Sequence, residues 1–160
     1  MRRVRVLRPA TLVVLASACF VFTGCGVQMP ADPDGTFTLM QDGTLRAGAS
    51  IDGDLVRDDG GVLTGGAVSL VEKFAIEHGA DLEWTIGSEE SLVGALEAGN
   101  LQIVVGGMSS ASPWSERAGV TRPYDVIPGA DGRDIVMLVP LGENRLLFEL
   151  ESFLDQEVGR

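Results

Sequence analysis

The run GGMSSASPWSER, from Gly106 to Arg117, follows the apolar segment LQIVV at 101–105. Paired glycines let a backbone come close to whatever lies beside it. Ser109, Ser110 and Ser112 add hydroxyls that both donate and accept hydrogen bonds. Arg117 adds a planar fork able to grip a carboxylate through two parallel bonds. That set of residue types suits a small ligand carrying a carboxylate. The candidate binding residues are Gly107, Ser110, Ser112, Trp114 and Arg117. Each also has a plain structural reading. The serines cap a short helix opening at Pro113, Trp114 packs as an ordinary aromatic, and Arg117 is a solvated cation beside Glu116.

Other chemistry-bearing residues point away from catalysis. Asp52, Asp54, Asp58 and Asp59 look like a calcium loop, but Val56 occupies its fifth position and no glutamate closes the frame. They read as a solvated turn. The glycines of 60–66 precede a helix without Walker or dinucleotide spacing. His78 is the single histidine and ends a helix. No second histidine, no G-x-S-x-G run and no thiolate cluster accompany it, so neither a hydrolytic triad nor a metal enzyme has support. The expectation is a non-enzymatic protein with no cofactor and no metal.

The elements that must position these residues follow from periodicity. Residues 43–49 alternate like a strand, and 50–66 is turn-rich with Asp-Gly pairs that mark turns or a hairpin. Residues 67–78 form a helix with Ala67, Leu70, Val71, Phe74 and Ala75 inward, stopped by Gly79. A strand at 81–86 follows. Ser88 caps a helix through Glu97 with Leu92, Val93 and Leu96 inward. Residues 101–105 are a buried strand, 113–118 a short helix, and 134–140 a further strand. Residues 143–157 close the chain as an amphipathic helix with Leu146, Leu147, Leu150, Phe153 and Leu154 inward. Alternating strands and helices predict an α/β fold with a mostly parallel sheet of four to five strands.

The N-terminus reads as a targeting segment. Arg2, Arg3, Arg5 and Arg8 precede an apolar core, ATLVVLASACFVF, of secretory length. The following Phe22-Thr23-Gly24-Cys25 resembles a bacterial lipobox, in which the cysteine becomes lipidated. The domain expectation is a signal peptide at 1–24, the lipidated Cys25 and a tether at 25–42, and one lobe at 43–158. Cleavage before Cys25 leaves 136 of 160 residues, with 8 basic against 23 acidic side chains and a formal charge of −15. So acidic a chain is unsuited to phosphate backbones or anionic lipid, which excludes nucleic acid as partner. Membrane attachment then falls to acyl chains. With Cys19 in the signal and Cys25 lipidated, no cysteine remains for a disulfide.

Taken in order, GTLRAGAS, then AVSLVEKFAIEHGADLEWTI, SLVGALEAGNLQIVVGGM and TRPY resemble the first lobe of family 3 extracellular solute-binding proteins, over 43–124. DIVMLVP and GENRLLFELESFL resemble that family's return strand and closing helix. The resemblance implies a single-lobe, three-layer type 2 periplasmic-binding-protein fold. It also implies that Ser110 or Ser112, with Arg117, holds the α-carboxylate of an amino-acid-like solute. Three departures stand out. Only residues 125–133 occupy the place of the second lobe. Residues 50–66 contain no aromatic. Ser69 and Gln102 stand where acidic residues are common, and Met108 to Arg117 is a longer spacing than usual.

The functional expectation is an extracytoplasmic solute-binding lobe, lipid-anchored to the cell membrane. It serves an ABC permease or a membrane receptor, with a homodimer as one way to complete the site. The alternative is an interaction lipoprotein that keeps the lobe as a scaffold without ligand binding.

Overall fold

The computed structural model describes residues 30–41 and 43–159. The expected signal peptide and Cys25 lie outside the described residues. The elements, in order, are α1 (Thr36–Met40), β1 (Thr44–Ala49), β2 (Arg57–Asp58), β3 (Leu63–Thr64), α2 (Gly66–Glu77), β4 (Asp81–Ile86), α3 (Glu89–Glu97), β5 (Ile103–Val105), β6 (Ala118–Val120), β7 (Leu138–Pro140) and α4 (Asn144–Val158). A 3-10 turn at Pro113–Glu116 precedes β6.

Five strands form one sheet in the order β4-β1-β5-β7-β6. β1 pairs in parallel with β4 and β5, while β7 pairs antiparallel with β5 and β6. Four of the five strands therefore run one way and only β7 runs against them. β2 and β3 make the separate hairpin that the Asp-Gly turns imply. The pleat divides the core in two. Leu45, Ala47 and Ala49 of β1 face α2 and α4, in the larger apolar cluster with Phe74, Leu150 and Phe153. Val104 and Leu138 face α3, in a smaller cluster with Leu92, Val93 and Leu96. Each inward stripe expected from the sequence is buried, apart from Leu147, which is half-buried.

Local chemistry sets the helix ends. Ser88 Oγ accepts from the Ser91 N–H at 3.3 Å, and Glu89 and Glu90 sit in the positive first turn of α3. Gly159, at φ 75, stops α4 in the left-handed region.

Two elements go beyond the sequence reading. Residues 36–40, inside the expected tether, form α1, with Phe37 and Met40 buried. Residues 118–120 form the edge strand β6.

Candidate functional site

The parallel strands β4, β1 and β5 end side by side at Ile86, Ala49 and Val105. Open α/β sheets collect ligands at such ends. Here the Ser50 N–H donates to Val105 O at 2.9 Å and the Gly87 N–H to Ala49 O at 3.1 Å, and the ladder then stops. Among the described residues, the Gly106 and Gly107 N–H groups take no part in the hydrogen bonding of this turn. Gly106 lies against Ser50, and the hydroxyls of Ser50 and Ser110 have no partner among the described residues.

Gly107 lets Asp52 approach the turn closely. A Cβ there would stand 2.8 Å from Asp52 Cγ. Asp52 in turn accepts from Arg133 Nη1 at 2.7 Å. The rest of the Arg133 fork donates to Ala130 O at 3.0 Å and Gly129 O at 3.3 Å. The short segment 125–133 thus carries a cation to the rim of the strand ends. That segment is pinned on the start of α2, where a Cβ on Gly66 would meet the Pro128 carbonyl carbon at 2.8 Å.

The five residues picked from the sequence fall into two groups. Gly107, half-buried, and Ser110, exposed, lie at the strand ends. The Ser110 N–H donates to Asp134 O at 3.2 Å. Ser112 is close by but occupied: its Oγ accepts from the Ser109 N–H at 3.0 Å, closing the turn. It stands at the N-cap position of the 3-10 turn without capping it.

Trp114 and Arg117 belong to the α3 side. Trp114 Nε1 donates to Glu89 Oε2 at 3.0 Å, and the ring packs on the smaller cluster. Arg117 grips Glu97 through two bonds at 2.9 and 2.7 Å and reaches Glu90 at 2.7 Å. Its guanidinium carbon lies 5.6 Å from the Trp114 ring centre. Glu97, then Glu90, push the Arg117 pKa still further up, and Arg117 lowers that of Glu97. The fork is thus drawn along α3, away from the glycines. The two acidic residues that hold it, Glu90 and Glu97, are seven apart, two turns along one face of α3.

Sequence reasoning passed over Arg133 and read Asp52 as solvated turn. The available signal was position: Arg133 just precedes the return strand, and an antiparallel strand begins where its parallel neighbours end. His78 is structural, with Nδ1 2.9 Å from Phe74 O and its ring against Phe37 and Phe74. No group of three or more metal-ligating side chains is placed to hold an ion among the described residues.

No protein-family model matches the chain, and no curated protein does. Solved structures do. A point mutant of the arginine-bound form of domain 1 from TmArgBP matches at 22% identity and TM-score 0.65, covering 76% of this chain and 97% of that one. A mutant of ArgBP from T. maritima matches at 12% identity and TM-score 0.64, covering 76% and 92%. The substrate-binding protein of an amino acid ABC transporter matches at 13% and 0.57, covering 71% and 92%. At such identities the likeness is one of fold. The chain has the α/β fold of a single lobe, domain 1, of solute-binding proteins.

Proposed function

We propose that the chain is a membrane-anchored extracytoplasmic solute-binding lobe for a small polar, amino-acid-like ligand, linked to ABC-type transport or sensing. The carrying observation is the pair of free N–H groups at Gly106 and Gly107, set beside Asp52 and Arg133 at the strand ends. Donors and a guanidinium suit an α-carboxylate, and the Asp52 carboxylate suits an α-ammonium. Structural neighbours include an arginine-bound domain and the binding protein of an amino acid transporter, which agrees with this ligand class. Attachment through Cys25 and a permease or receptor partner complete the reading. Ile51 and Ile86, half-exposed at the same rim, suit cover by that partner or by a second copy.

The scaffold reading is favoured by one observation: both arginines of the region are already engaged, Arg117 by Glu90 and Glu97, Arg133 by Asp52. A thermal-shift screen of the full chain in detergent, against amino acids and their des-amino analogues, separates the two. Binding to the folded state alone must raise the melting temperature. A shift abolished in Arg133→Gln but kept in Arg117→Ala supports solute binding at the strand ends. No shift at millimolar ligand leaves the scaffold reading.

A further inference from the structure

At the opposite end of the sheet, where β1 and β5 begin, lies a cavity of about 730 Å³. That size falls within the usual range of small-molecule sites. Arg117 and Glu97, already paired with each other, form part of its lining, and no residue of the Gly106–Gly107 turn does.

Gln102 forms part of its wall. This side chain is only 7% exposed. Its Oε1 accepts from the Arg46 N–H at 2.6 Å, and its own N–H donates to Arg46 O at 2.8 Å. A backbone N–H requires the oxygen as partner, so the amide orientation is fixed. The two Nε2 hydrogens are left without a partner among the described residues. No buried side-chain polar atom is left unpartnered among the described residues, so this amide nitrogen is reached by solvent from the cavity and is open to a solute.

Arg46 supplies the second donor. Its Nη2 donates to Gly99 O at 3.2 Å, and the rest of its fork has no acceptor among the described residues. Arg46 and Arg145 are the two described cations without an ion pair, in a strongly acidic chain where the other cations find carboxylates. Glu83 is paired with Arg46 in the strand register but makes no ion pair with it. Glu83 and Glu116, both lining the cavity, are acceptors free of any ion pair among the described residues. Exposed Leu39 and Leu141 stand at its mouth.

We infer that this cavity is a second binding site, for a zwitterionic solute of dipeptide size. Its carboxylate meets Arg46 and the Gln102 Nε2, and its ammonium meets Glu83 or Glu116. Cations and carboxylates both line the cavity, which suits a solute carrying both charges.

The test is an NMR titration of the full chain in detergent with glycylglycine, reading the Gln102 side-chain NH₂ signals and the backbone amides. Expected are shifts at the Gln102 NH₂ group and at Gly99 to Leu101. Gln102→Glu keeps the acceptor for the Arg46 N–H and removes the donor. It should weaken binding at least about tenfold, as should Arg46→Gln, while Arg133→Gln leaves it unchanged. Arg46 is exposed, so its variant carries the test if Gln102→Glu fails to fold. Shifts confined to Gly106 through Ser110, equal binding in both variants, or no response at millimolar peptide each overturn the inference.

Discussion

Arg133 Nη1 lies 2.7 Å from Asp52 Oδ2, across 81 residues of sequence. This pair ties the loop after β1 to the short segment standing where a second lobe would leave and return. Both side chains are partly exposed, so the pair adds little stability in itself. It sets a cation and an anion side by side, next to the Gly107 turn. Asp52→Asn keeps the shape and removes the anion. Under the proposed function, the preference for an amino acid over its des-amino analogue should fall by about tenfold or more, measured as the ratio of dissociation constants by calorimetry. An unchanged ratio would place the ligand's amine elsewhere.

The same carboxylate is what a side chain at residue 107 would meet. Gly107→Ala drives a methyl into Asp52 and must displace it from Arg133. The pair is partly exposed and the atoms met end a side chain that can move, so the cost should be about 1 kcal/mol or less. The clash is with the end of a side chain, so Gly107→Ala combined with Asp52→Ala should recover much of the loss. Chemical denaturation of the four species in this cycle gives the coupling, and strict additivity would mean that the two residues do not meet.

The sheet and its helices were legible because burial imposes periodicity. Leu92, Val93 and Leu96 could satisfy their pattern only as one face of α3. The layout of the candidate site was legible only in part. Gly107 and Ser110 lie at the strand ends because their place after a buried strand fixes where they go. Arg117 is a candidate through the family resemblance, at a longer spacing from Met108 than usual, and its fork lies along α3. The choice was made by Glu90 and Glu97, two residues whose shared helical face is visible in sequence but whose nearness to residue 117 depends on tertiary packing. Arg133 was missed for the converse reason. Nothing local marks it, and only the antiparallel course of β7 brings it to the strand ends.

The α1 segment shows the same limit. Five residues among prolines and aspartates carry no periodic signal, and a helix so short is marginal alone. It is held by packing: the Phe37 ring sits 5.2 Å from that of His78, under the Arg145 guanidinium at 4.7 Å. Phe37→Ala should therefore destabilise the chain by ~3–5 kcal/mol, as a core aromatic does. A residue in a true tether would change the denaturation midpoint hardly at all. The midpoint thus decides whether the lobe begins at 43 or before 37.

Tyr124, the chain's single tyrosine, gives a clean readout of packing between the segment after β6 and α4. Its hydroxyl lies 3.0 Å from Asp155 Oδ1 and 3.3 Å from Glu151 O. Burial, and then the hydrogen bond to Asp155 and that residue's charge, push its pKa up to about 12, with Arg122 acting the other way. A folded-state pKa above the unfolded value of about 10 means that the phenol's contribution is complete below pH ~10 and is lost as pH rises through the folded value. The native chain should show tyrosinate absorbance only near pH 12, and the chain in denaturant near pH ~10. Asp155→Asn removes the charge that opposes the phenolate, so it should lower the native midpoint without bringing it fully to the unfolded value, since burial remains. A native midpoint near the unfolded one would mean that Tyr124 is solvated and that the segment after β6 does not pack on α4 as described.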